Sequence, residues 1–151
     1  MKIVVSACLM GEDCKYNGLD NYHRELVEAC ERTGCEVVLV CPEVFGGLPV
    51  PREPSEIVDG EVKTRSGVSV DRQFRMGARR ALDICDESGG PDEVALVVLQ
   101  DRSPSCGVGH IYDGTFTGRL VPGNGVFADE LIRRGYRVIP ASAFKPEMLE
   151  G

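Results

Sequence analysis

The 151 residues read as a single α/β domain of three layers, residues 1–151, with a mainly parallel sheet and a small β-hairpin. Three features lead there. Four short runs rich in Val, Ile and Leu have strand length: Ile3 to Ala7, Glu36 to Val40, Val94 to Gln100 and Tyr136 to Pro140. Each is almost continuously apolar, as a strand buried on both faces must be. Amphipathic stretches lie between them, and this alternation of strand and helix is the order of a parallel sheet closed by crossover connections.

The first run, within Lys2 to Met10, is too short and too β-branched for a secretory h-region and no small-residue cleavage site follows it, so it is expected to be a strand of a cytoplasmic protein. Tyr22 to Thr33 places Leu26, Val27, Ala29 and Cys30 at helical spacing, and Gly34 ends the pattern. Gly46 to Gly67 carries Gly46-Gly47, Pro49, Pro51, Pro54 and a turn signal at Asp59-Gly60, which together discourage helix. The expectation there is a long ordered loop, of the kind that serves as a binding loop or lid. Val70 to Glu87 puts Phe74, Ala78, Ala81, Leu82 and Cys85 on one helical face, and Arg72, Arg75 and Arg79 on a solvated one. In Gly109 to Gly118, His110-Ile111-Tyr112 and Thr115-Phe116-Thr117 flank Asp113-Gly114, a type I′ hairpin signal. Val126 to Arg134, closed by Gly135, is the last helix before the last strand.

Composition narrows the function. No apolar run approaches the roughly 20 residues that span a bilayer, which argues against a membrane role. The formal net charge of −7 is the wrong sign for a surface that gathers phosphates, so a nucleic-acid partner is disfavoured and a small ligand expected. Seven cysteines, an odd number, without an export signal point to reduced thiols, some of them metal-bound or reactive.

The scaffold sorts those cysteines. Cys8 follows the first strand, Cys41 the second, and Cys106 lies in the turn Ser103-Pro104-Ser105-Cys106-Gly107 after the third. In a parallel sheet the carboxyl ends of the strands share one edge, where ligands bind, so three thiols far apart in sequence should converge. Cys30 and Cys85 fall on apolar helix faces and Cys35 at the opposite edge, which suits small buried hydrophobes. A cubane 4Fe-4S cluster held by three cysteines keeps one iron free for substrate. Zinc also accepts three thiolates, with His110 a conceivable fourth ligand, although the close Cys-x-x-Cys pairs of structural zinc sites are missing. Cys14, six residues after Cys8, is a neighbour that could complete the ligand set or act as a redox partner.

Certain residues also carry a family resemblance. Ser6-Ala7-Cys8-Leu9-Met10-Gly11 with Lys15-Tyr16-Asn17-Gly18 comes first, followed by Cys41-Pro42-Glu43 with Gly46-Gly47-Leu48 and Pro51-Arg52. Ser103-Pro104-Ser105-Cys106-Gly107, Tyr112-Asp113-Gly114 and Gly123-Asn124-Gly125 complete the set. In this order, from residue 3 to about residue 140, the chain resembles the thiouracil desulfurase family. The resemblance implies an oxygen-sensitive, iron-sulfur-dependent, non-redox desulfuration of a thiolated nucleobase such as 2-thiouracil, giving the oxo base and hydrogen sulfide. It implies Cys8, Cys41 and Cys106 as ligands of the 4Fe-4S cluster, with Glu43 and Ser105 as catalytic residues. A carboxylate two residues from a ligand is placed to act as general base, or else simply to pair with a cation; Ser105 is placed to orient the base or a water, or to cap its turn. Lys15 stands where the family often has arginine, and lysine lacks arginine's planar fork. The substrate expected is a small thiolated base or nucleoside. The competing classes are an iron-sulfur carrier or electron-transfer protein, a desulfurase of thiolated tRNA, and a zinc or thiol-redox module.

Overall fold

The computed structural model describes residues 1–150. Four parallel strands, β1 (Lys2–Ser6), β2 (Glu36–Val40), β5 (Val94–Leu99) and β8 (Val138–Pro140), stand in the order β2-β1-β5-β8. Their apolar runs serve two faces at once because side chains alternate along a strand. Val4, Val97 and Leu99 join one core cluster, whereas Ile3, Val5, Leu96 and Val98 join the other. Helix α1 (Arg24–Thr33) covers the second face with Leu26, Ala29 and Cys30. Helices α3 (Asp71–Glu87) and α4 (Val126–Arg133) cover the first with Phe74, Ala78, Ala81 and Cys85, and with Phe127 and Leu131. The domain is therefore the expected three-layer α/β sandwich, and burying a side chain such as Phe74 contributes about 1.5 to 3 kcal/mol. Among the described residues no helix is long and apolar enough to cross a membrane.

Helix ends are set locally. His23 caps α1 by accepting the Leu26 N–H at Nδ1, 3.1 Å away, and Gly34, in the left-handed conformation, closes it. Arg72, Arg75 and Arg79 are exposed on α3, Arg75 pairing with Asp71 one turn back.

Two expectations are corrected. Within Gly46 to Gly67, residues 55–64 are not loop: β3 (Ser55–Val58) and β4 (Glu61–Thr64) pair antiparallel around Asp59-Gly60, both at positive φ. The turn signal was genuine; the strands were hidden because they are short and mostly polar, with Val62 alone of β4 in the core. The second hairpin is also wider than the sequence suggested. β6 (His110–Tyr112) pairs with β7 (Leu120–Pro122), not with residues 115–117. Asp113 turns the chain locally by accepting the Thr115 N–H, and Glu56 of β3 accepts the N–H groups of Gly114 and Phe116. The tip is thus tied to the other hairpin and cannot pair with its own. A four-residue helix, α2 (Pro42–Phe45), was not expected either; Cys41 precedes it and Pro42 starts it.

Candidate functional site

The carboxyl ends of β1, β2 and β5 open onto one cavity of about 450 Å³. Cys8, in the 3-10 turn Ala7–Met10 after β1, lines it, as do Cys41 at the start of α2 and Cys106 in the turn after β5. Cys14 lines it too, and its thiol lies between those of Cys8 and Cys41, within hydrogen-bonding reach of both. Cys30, Cys35 and Cys85 do not line it. His110 is exposed on β6 and faces a separate depression with Asp101 and Val108, so it is not a fourth ligand beside these thiols.

The cavity treats its thiols unequally. Hydrogen bonding from Cys14 lowers the pKa of Cys8, with the Asn21 amide, 3.6 Å from Sγ, adding to the effect. Cys41 is lowered to about 7, again chiefly by Cys14, with help from the Val44 N–H at the start of α2. Cys14 is correspondingly raised because it is the partner that keeps its proton. Burial pushes Cys106 up to about 12 despite the neighbouring Ser6 and Ser105 hydroxyls, which act in the other direction. Hydrogen bonding thus favours the thiolate form at Cys8 and Cys41, whereas burial disfavours it at Cys106. Soft sulfur donors of this kind suit iron-sulfur chemistry.

Glu43 and Ser105 meet beside the thiols. The Ser105 hydroxyl donates to Glu43 Oε2 at 2.7 Å, and Arg52 Nε donates to Oε1 at 3.0 Å. Ser105 Oγ is also 3.7 Å from Cys106 Sγ, so this one hydroxyl links the carboxylate to a thiol. The Glu43 and Arg52 side chains are only 16% and 8% exposed, so the pair is not a solvated surface bridge. Arg52 further donates to the carbonyls of Cys14 and Pro49, at 2.9 and 3.1 Å. The Arg52 ion pair expected of Glu43 is therefore present on Oε1, and its second oxygen, Oε2, accepts from Ser105 inside the cavity.

Close backbone approaches set these positions. A Cβ on Gly77 of α3 would fall 1.7 Å from the Pro42 carbonyl oxygen, so only glycine lets α2, between Cys41 and the proline loop, lie this near α3. At Gly125 a Cβ would fall 2.5 Å from the Ser105 carbonyl. There the first amides of α4 donate to the Pro104 and Ser105 carbonyls, which pins the Cys106 turn to a helix N-terminus.

Sequence reasoning gave no role to several lining residues. Arg52 belongs to the Pro51-Arg52 pair, yet nothing in an arginine among prolines announces that its side chain will be buried. Glu56, 8% exposed on β3, was hidden inside the segment expected to be loop. Tyr112 and Phe116 line the cavity from the second hairpin, with Phe116 at φ +58, a conformation that costs a non-glycine residue on the order of 1 to 3 kcal/mol.

Residues 3–142 match the model of the 2-thiouracil desulfurase family. The chain is 37% identical over 147 residues to the uncharacterised protein YbbK of Bacillus subtilis (strain 168), covering 91% of this chain and 93% of that one. It also resembles a solved structure described as the 4Fe-4S-dependent thiouracil desulfidase TudS (DUF523Vcz). That similarity is 38% identity with a TM-score of 0.86, covering 97% of this chain and 94% of the other.

Proposed function

The chain belongs to the 2-thiouracil desulfurase family, and we propose that it converts a small thiolated pyrimidine to the oxo base, using a 4Fe-4S cluster held by Cys8, Cys41 and Cys106. The observation that carries this reading is the convergence of those three thiols with the Glu43–Ser105 hydrogen bond in one cavity. A solved relative that is 38% identical and named for the same cofactor and reaction supports it.

When bound, the cluster supplies a thiophilic, Lewis-acidic iron that polarises the carbon-sulfur bond. The balance is that of a hydrolysis: thiocarbonyl plus water gives carbonyl plus hydrogen sulfide, with no electron gained or lost. Glu43 accepts a proton from the attacking water, because its carboxylate lines the cavity and is held on both oxygens. Arg52 keeps that carboxylate from rotating. Ser105 has one hydroxyl hydrogen, directed to Glu43, so its oxygen acts as an acceptor, with one lone pair facing the Ser103 hydroxyl 3.3 Å away and the other available to the water. Protons taken up by Glu43 return to the departing sulfur. Charge favours a base or nucleoside over folded RNA, since the net value is −7. A cluster with an open iron also favours a reducing, cytoplasmic setting and loss of activity in air.

Glu43→Gln tests the reading. Glutamine keeps an acceptor for Arg52 and turns a donor toward Ser105 Oγ, so fold and iron content are retained while turnover per cluster falls by about 10² to 10⁴. Ser105→Ala lowers it less, because solvent can replace a hydroxyl. Unchanged turnover in a fully loaded Glu43→Gln protein would remove Glu43 from the chemistry.

A further inference from the structure

The proposed reaction leaves one need unmet: a flat heteroaromatic ring must be held by its face while its sulfur points at the cysteine side of the cavity. Three residues on the two hairpins bear on that need. Phe116 and Tyr112 line the cavity together with Ser105 and Cys106. Phe116 has a left-handed backbone, which a bulky residue keeps only where its surroundings enforce it. What enforces it is Glu56, whose Oε1 accepts the N–H groups of Gly114 and Phe116 at 2.9 and 3.1 Å.

Glu56 is an unusual brace. Its side chain is buried, and among the described residues no Lys, Arg or His forms an ion pair with it. Burying a carboxylate against two amides to fix a hairpin tip is a costly way to build a mere connection. The tip also carries an aromatic ring whose surroundings are prepared: the Arg65 guanidinium lies over the Phe116 ring, 6.0 Å from its centroid, and Arg65 lines the same cavity. Tyr16, the third aromatic lining residue, is 41% exposed on the first loop; the Lys15 ammonium lies 5.9 Å from its ring centroid and the Arg52 N–H donates to its carbonyl, but no buried carboxylate fixes its backbone as Glu56 fixes that of Phe116.

We propose that Phe116 is the stacking surface for the substrate's ring and that Glu56 is a positioning residue that acts through it by fixing the backbone of the hairpin tip. The proposal rests on the reading of the cavity as a thiobase site. It assigns substrate affinity to the hairpin residues and leaves the bond-breaking step to Glu43, Ser105 and the thiol side of the cavity.

The test uses iron-loaded protein and two ligands, 2-thiouracil and uracil, the second having no sulfur for a metal to hold. Phe116→Leu keeps apolar bulk but removes the aromatic face. It should raise KM for 2-thiouracil and the calorimetric Kd for uracil together by about 5- to 150-fold, the equivalent of roughly 1 to 3 kcal/mol for a stacked base. Iron content should not change, kcat should stay within about twofold, and Phe116→Tyr should restore both constants. Glu56→Gln should weaken uracil in the wild-type background and add little in the Phe116→Leu background, because its effect runs through that ring. Unchanged uracil affinity in Phe116→Leu, or no uracil binding by wild-type protein, overturns the stacking role. Equal effects of Glu56→Gln in both backgrounds overturn the positioning role. Wild-type protein that binds uracil with this dependence on Phe116 but releases sulfide from no thiobase would support the ring site while removing the proposed reaction.

Discussion

Replacing Gly77 by alanine asks whether the packing of α2 on α3 governs the site. The new Cβ would lie 1.7 Å from the Pro42 oxygen, 2.8 Å from the Pro42 carbonyl carbon and 2.9 Å from the Gly46 nitrogen. Carbon and oxygen normally stop at roughly 3.3 Å, so α2 must retreat by about 1.5 Å. Two effects on stability oppose each other. Overpacking costs about 1 to 3 kcal/mol, whereas alanine in a helix interior is favoured over glycine by about 1 kcal/mol. All three atoms belong to the backbone, which cannot swing aside as a side-chain end can, so overpacking outweighs the alanine preference and the net loss should be about 2 kcal/mol or more. The site has no such compensation, because Pro42 lies between Cys41 and Glu43 and moves with both. A misplacement of about 1 Å can cost around 10²-fold in rate, so sulfide release per chain should fall at least that far, with iron content also reduced. Thermal melts, iron per chain and sulfide release on anaerobically reconstituted protein give the three numbers. A Gly77→Ala protein with normal iron and normal turnover would refute the view that this contact positions the site.

Two further outcomes follow from the sorting of the thiols. Cys8→Ser, Cys41→Ser and Cys106→Ser should each lose most of the bound iron, whereas Cys30→Ala and Cys85→Ala should keep it and lose on the order of 1 kcal/mol of stability; iron analysis beside denaturant melts separates the groups. Burial pushes Cys85 up to about 12 from 9.0, so the folded state holds this proton more tightly than the unfolded chain does. Its contribution is complete below pH 9 and is lost as pH rises toward 12, so Cys85→Ala should show a shallower alkaline fall in stability, measured by melts across that window. An equal slope in both proteins would contradict the assignment.

Legibility in the sequence followed physical scale. The central strands announced themselves because burial on both faces forces a nearly continuous apolar run, as in Val94 to Leu99. Helices α1, α3 and α4 did so through long periodic faces and glycine stops. From these alone the convergence of Cys8, Cys41 and Cys106 on one edge could be reasoned, since strand direction decides where the ends go. The first hairpin is obscured because its strands are short and mostly polar, and the second because its tip is shaped from outside itself by Glu56, 58 and 60 residues away from Gly114 and Phe116. The same distance in sequence hid the clamp of Arg52 on Glu43 and the seat of Cys14 between two thiols. Local pattern reports what a segment does with its own neighbours, and these contacts are made with someone else's.

The most direct measurement is sulfide and oxo-base formation from a panel of thiolated bases and nucleosides by anaerobically reconstituted protein, normalised to iron. 2-Thiouracil or a close pyrimidine relative should yield uracil-type product and hydrogen sulfide in equal amounts, with no added reductant or oxidant, and turnover should scale with the loaded cluster. A protein carrying its full complement of iron and acid-labile sulfide that leaves every member of the panel intact would contradict the proposed reaction.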